Sequence, residues 1–137
     1  SSPSRGLGDV YKRQFFNILT YLIGALFLLM GLQWLIDPTT AANGLGMVLL
    51  SGHGLSTQIG DLSSFFLVIG TFTLCAAYKN NTVWLYTPIA LFTFAAFSRI
   101  IAFLFHDAAL STDKILVELI LAGFLLFLVK RKVNIPS

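Results

Sequence analysis

The chain is 137 residues long and only 11% of it is charged, against roughly a quarter in a soluble globular domain. Hydrophobic residues reach 56%, aromatic residues 14%, and the mean hydropathy is +0.82. This composition excludes a soluble enzyme, a disordered chain and a nucleic-acid binder with a basic face; it reads as one membrane domain. The single cysteine, Cys75, cannot close an internal disulfide, and no Cys/His cluster has metal-ligand spacing, so neither a metal nor a cofactor is expected.

The first fourteen residues, SSPSRGLGDVYKRQ, differ from the rest: they are polar, have no apolar period and open at Ser1 without an initiator Met. The string closely resembles a translated sequencing-adapter read-through that heads many open reading frames from environmental DNA; a genuine short cytoplasmic tail is the alternative. It does not read as a signal peptide, because its charged part runs into a long apolar stretch with no small-residue cleavage site. Residues 1–14 are therefore expected to be a non-native or disordered tail outside the fold. Without them six basic residues face five acidic ones. The pI near 9.2 is then no argument for an anionic partner.

Four apolar runs follow, predicting transmembrane spans over about 15–36, 58–78, 83–105 and 112–129 within a domain covering 15–132, followed by a short tail over 133–137. The first run has no charge and stops at Asp37-Pro38. Residues 37–60 form a long Gly-, Thr- and Ser-rich connection, in which Met47 to Leu50 is a short apolar patch that dips into the interface or caps the helices. Lys79-Asn80-Asn81 is a tight turn. Pro88 is expected to kink or open the third helix. Ser111 or Thr112 caps the fourth, with Asp113 in its first turn, where the helix dipole favours an anion. The predicted fold is all-α: a four-helix transmembrane bundle. Lys79 and the Lys130-Arg131-Lys132 cluster fall on one side and most acidic groups on the other, so both termini are expected to be cytoplasmic. Trp34 and Trp84 are expected at the membrane interfaces.

Two charges lie within the later spans, Arg99 in the third and Glu118 in the fourth. Arg99 is roughly 10 Å below His106 at the outer end of its helix, and Glu118 roughly 7 Å past Asp113, at 1.5 Å per residue. Asp61 opens the second span from the same side. An isolated charge in a span costs about 2.5–3.5 kcal/mol or more, so these groups are expected to turn inward and pair. Helical spacing aligns Asp61, Ser64, Val68, Thr71 and Cys75 on one seam, Ala95, Arg99, Ala102 and His106 on another, and Lys114, Glu118 and Leu121/Ala122 on a third. On the first helix, Asn17, Tyr21, Gly24, Leu28 and Gly31 form a stripe whose glycines permit close backbone approach. Arg99 and Glu118, with Asp61, His106 and Ser64 around them, read equally well as an ion pair fixing helix register and as a ligand or proton site. No residue is singled out as catalytic.

Gly31 and Asp37-Pro38 after the first helix, Asp61 with Ser64-Phe65-Phe66 and Gly70 in the second, Arg99 in the third and Glu118 in the fourth carry a family resemblance. From about Leu29 to Val129 the chain resembles an uncharacterised group of small bacterial four-helix membrane proteins with a DoxX-like layout. The resemblance implies a multi-pass protein of the bacterial inner membrane and unknown molecular function. DoxX-like members with redox roles would imply thiol or quinone chemistry, from which the unpaired Cys75 departs. A small multidrug exporter would carry an acidic residue in its first helix, and this chain has none there. Three readings stand. The first is a non-enzymatic membrane protein whose outer polar pocket, Arg99/Glu118/Asp61, binds a small or lipid-like ligand. The second is an accessory or assembly subunit whose ion pair is structural. The third is a membrane enzyme acting on a lipid or quinone, and the balance leans away from an enzyme. Expected partners are the lipid bilayer, a small hydrophobic ligand or lipid, and a membrane-protein partner or second copy of the chain, with no nucleic acid.

Overall fold

A computed structural model describes residues 3–134, with side chains over 6–131. The described residues are all-α: α1 (Pro3–Ile36), α2 (Pro38–Gly44), α3 (Gly52–Lys79), a 3-10 turn (Thr82–Leu85), α4 (Tyr86–Phe105) and α5 (Thr112–Asn134). They divide into two compact units, one ending at Lys79 and the other beginning at Asn80. Ser1, Ser2 and residues 135–137, parts of the two expected tails, lie outside the described residues.

In the first unit α1 starts at Pro3, not at Phe15, so residues 3–14 are its opening turns rather than a separate tail. Leu7, Val10 and Tyr11 in those turns are exposed, so the extension adds no buried core. Asp37-Pro38 ends α1 as expected and also starts α2, a short helix inside the expected 37–60 connection. Asp37 is the N-cap: its carboxylate accepts from the Thr40 backbone N–H at 3.3 Å and from the Thr40 hydroxyl at 2.6 Å. Pro38 follows at the first helical position, where its missing N–H costs nothing. Gly46, at φ 70°, closes α2, and the Met47 N–H reaches back to the Ala42 carbonyl at 2.9 Å. The 47–51 segment is then held by one side chain. The Gln58 amide accepts from the Leu50 N–H at 2.8 Å and donates to the Val48 carbonyl at 3.1 Å. The connection is shorter than expected because α3 begins at Gly52.

Helices α1 and α3 pack antiparallel. A side-chain carbon on Gly24 would meet Leu74, and one on Gly31 would meet Leu67, so rising positions on α1 face falling positions on α3. The closest point is Gly70. A Cβ there would lie 2.7 Å from the Leu28 Cα and 2.8 Å from the Gly24 carbonyl oxygen, so only hydrogen fits. The buried stripe on α1 is Thr20, Gly24, Phe27, Gly31 and Trp34; on α3 it is Ser63, Phe66, Ile69, Gly70, Thr73 and Ala76. The Phe27 and Phe66 rings stack with centroids 6.0 Å apart.

Two expected faces therefore change. Asn17 and Tyr21 are exposed, although Gly24 and Gly31 of the same proposed stripe are buried. Asp61, Ser64 and Thr71 are exposed as well, because α3 turns Ser63, Phe66 and Gly70 toward α1 instead. A one-residue step is about 100° of helix rotation, enough to move the polar seam off the contact. Packing explains that choice: the glycine crossing needs Gly70 inside, and this leaves the Asp61 carboxylate solvated. Trp34, expected at an interface, is 1% exposed and fills the interior.

In the second unit the Asn81 side chain caps the 3-10 turn, accepting from the Val83 N–H at 3.1 Å. Pro88 does not kink the middle of a helix. It sits in the first turn of α4, where it has no N–H to offer the Trp84 carbonyl and excludes an α-turn there, and the chain runs 3-10 over the preceding residues. Helix α4 ends at His106. Asp107 takes φ 56°, and the N–H groups of His106 and Ala108 both return to the Ala102 carbonyl, at 3.0 and 3.2 Å. Helix α5 begins at Thr112 with Asp113 in its first turn, as its cap residues predict. Helices α4 and α5 pack on each other across this short connection. The inward stripe is Leu85 of the 3-10 turn with Pro88, Phe92 and Ala96 of α4, facing Ile115, Glu118, Ala122, Leu125 and Val129 of α5.

Among the described residues three stretches are long and apolar enough to cross a membrane: Gly6–Ile36, Gly52–Lys79 and Thr82–Phe105. Their apolar side chains, among them Leu22, Leu29, Phe94 and Phe97, remain exposed on the outer faces. A helix apolar all round requires an apolar solvent on its free side. Helix α5, the fourth expected span, is not among the three. Its apolar run lasts from Ile115 to Val129 and is interrupted by Glu118.

Candidate functional site

The site lies between α4 and α5. Arg99 continues the inward stripe of α4 one turn beyond Ala96, and Glu118 stands on the inward stripe of α5 between Ile115 and Ala122. Arg99 Nε donates to Glu118 Oε1 at 2.6 Å, a short charge-assisted hydrogen bond. The local sequence explains why they meet. Ala96 and Ala102 on α4 and Ala122 on α5 are small, which leaves lateral room for a guanidinium, and the short connection sets the two helices at matching depth.

The two partners are unequally covered. The Glu118 side chain is 9% exposed and the Arg99 side chain 38%. Arginine has five N–H donors on a planar fork, and here only Nε is used. The terminal Nη1 and Nη2 groups make no hydrogen bond among the described residues, nor does Glu118 Oε2. The contact is thus single rather than the two-bond fork an Arg–carboxylate pair can form. What remains is two NH2 groups without a hydrogen bond among the described residues, on a partly exposed side chain beside a buried acid. Such an edge can donate to an oxyanion, while Oε2 can accept from a hydroxyl or amine.

The other candidate residues are distributed differently. His106 is the exposed C-cap of α4, seven residues and roughly 10 Å along the axis from Arg99. Asp61 and Ser64 belong to the first unit, where both are exposed on α3. The structure also reveals two polar groups absent from the sequence reading. Gln58 pins the 47–51 segment. Thr73 is fully buried on α3, and its hydroxyl has no hydrogen-bond partner among the described residues. A Gln eight to ten residues beyond an apolar patch carries no distinctive signal, and a Thr in an apolar helix ordinarily bonds its own backbone, as Thr20 and Thr93 do at 2.7 Å. Among the described residues no group of three or more His, Cys, Asp or Glu side chains could hold a metal ion.

No family model matches the chain, and neither a curated protein nor a solved structure matches it.

Proposed function

We propose that this chain is an integral membrane protein that binds a small or lipid-like ligand at the Arg99–Glu118 site without catalysing a reaction. One observation carries the reading: the pair is half open, a buried carboxylate holding only one edge of an accessible guanidinium. A purely register-fixing pair gains most by using both hydrogen-bonding edges, whereas this one leaves two of its donor groups unspent among the described residues.

In this reading α5 crosses the membrane too. Its 23 residues extend roughly 35 Å, enough for a bilayer core. Glu118 is tolerable there because Arg99 neutralises it. Four crossings with Lys79, Lys130 and Arg131 on one side make that side cytoplasmic, with both termini there and the site in the outer leaflet. His106, further out on α4, lies toward the outer end of the same helix. This reading carries with it the DoxX-like resemblance and a bacterial inner membrane.

Native mass spectrometry of the full chain, purified in a mild detergent, tests the binding. A retained small-molecule adduct is expected on the wild type and lost from Arg99→Lys, which keeps a cation for Glu118 but removes the fork. An adduct-free wild type, or an adduct indifferent to Arg99→Lys, returns the pair to the accessory-subunit reading. Topology is read separately: Ser51→Cys in a Cys75→Ala background should react with an impermeant maleimide from outside intact cells.

A further inference from the structure

Resting on the binding reading above, we infer that the ligand presents a phosphate monoanion, and that Arg99 and Lys114 together receive it. Three observations converge. The first is the unspent end of the Arg99 guanidinium: its two NH2 groups are 120° apart on a plane and match two oxygens of one phosphate, a geometry a lysine cannot supply. The second is Lys114. It lies four residues before Glu118 on the same face of α5, one turn and roughly 6 Å toward the helix start, and it is half-buried. The third is the local charge. Arg99 and Glu118 cancel, and Lys114 leaves the face at +1, the complement of a phosphodiester.

The nearby acids do not reverse that sign. Asp113 is exposed and about 140° round α5 from Glu118, off the face. Asp107 is exposed in the turn that ends α4. On α4 itself, His106 shares the Arg99 face and adds a neutral or cationic donor further out. Beside these groups stand exposed apolar side chains, Phe103 one turn beyond Arg99 on α4 and Val117 next to Glu118 on α5. A guanidinium and an ammonium with net positive charge beside exposed apolar side chains suit a phosphate that arrives with acyl chains. The shared chemistry is the phosphate; its carrier is either a lipid or the aqueous phase.

Thermal unfolding of the full chain in a neutral detergent decides this, with three probes: phosphatidylglycerol, diacylglycerol with the same acyl chains, and inorganic phosphate. Phosphatidylglycerol is expected to raise Tm saturably, and diacylglycerol to leave it unchanged. Lys114→Gln and Arg99→Lys should each weaken the apparent affinity roughly tenfold, the equivalent of one charge-assisted hydrogen bond. Glu118→Gln should bind phosphatidylglycerol as tightly as the wild type or more so, because it removes the competing negative charge. A purely structural pair would not behave in that way. Inorganic phosphate raising Tm to the same extent supports the phosphate site and assigns it to a soluble carrier; no response to it assigns the site to lipid. Equal responses to phosphatidylglycerol in the wild type, Lys114→Gln and Arg99→Lys would overturn the inference. So would an Arg99-dependent response to diacylglycerol, which leaves the binding site standing but with a neutral ligand.

Discussion

The two units join their helices by opposite means. Helices α1 and α3 meet through absence of side chain: Gly24, Gly31 and Gly70 let the backbones approach until Gly70 faces the Leu28 main chain. Helices α4 and α5 meet through bulk and charge, with Phe92 and Leu125 buried and Arg99 bonded to Glu118. Lipid tails are as apolar as leucine, so apolar burial alone does not drive helices together in a bilayer. Close packing and interhelical hydrogen bonds are the two remaining sources of attraction, and this chain uses one in each unit. The difference has a functional side. A glycine crossing is sealed and offers nothing to a ligand. A charge pair with unspent donors does.

The comparison breaks most completely at Gly70. Gly70→Val places two methyl groups where a single Cβ already overlaps backbone atoms that cannot rotate away. Overpacking of a tight interior costs about 1–3 kcal/mol, and the upper end or beyond is expected here. The measurement is thermal unfolding in detergent, where the α1–α3 contact should fail. Gly31→Ala, which meets mainly the Leu67 side chain, should lose less.

Arg99→Ala is next. It strands a buried carboxylate, which costs about 3–5 kcal/mol in soluble proteins and less where a membrane interface admits water. Glu118→Gln keeps an acceptor for Nε and should lose clearly less than Arg99→Ala in the same assay. The reverse order would mean that the acid, not the cation, fixes the two helices.

The third change sharpens the contrast inside the sealed pair. Thr73→Val replaces a buried hydroxyl without a partner by a methyl of the same shape. It should be neutral or stabilising by up to about 1 kcal/mol, since an unsatisfied buried polar group is a cost and not a contact. A marked loss of Tm would reveal a hydrogen bond formed by Thr73 in the membrane.

The smallest effect belongs to the start of α1. Deleting residues 1–14 behind a new initiator Met should leave insertion and Tm unchanged, because Leu7, Val10 and Tyr11 are exposed despite their helical conformation. A drop in Tm would make these turns part of the packed fold.

Much of the helix layout is legible in the sequence because helix ends are local. Asp37-Pro38, Asn81, and Ser111 with Thr112 and Asp113 all mark real boundaries. Helix α2 was missed although Asp37-Pro38-Thr39-Thr40 has the composition of an N-cap with proline at the first position. The same pair also ends α1, and one signal stood for both. The faces of α1 and α3 were harder. Nearly every residue there is apolar, so periodicity cannot choose a face, and the polar seam of Asp61 and Ser64 pointed one residue away from the true contact. The choice is made by Gly70, whose close approach depends on Leu28 and Gly24 of α1, far away in the chain and in no recognisable pattern. The level of Arg99 and Glu118, by contrast, follows from helix rise and two helix ends alone, which is why depth arithmetic could bring them to one place.

The central claim is that α4 and α5 are held by a specific Arg99–Glu118 interaction. A double-mutant cycle with Arg99→Ala, Glu118→Ala and the pair, followed by thermal unfolding of the full chain in detergent, measures it directly. The predicted result is a coupling of about 1 kcal/mol or more, within the 0.5–3 kcal/mol range of residues in direct contact. Effects that add to within about 0.3–0.5 kcal/mol would contradict it.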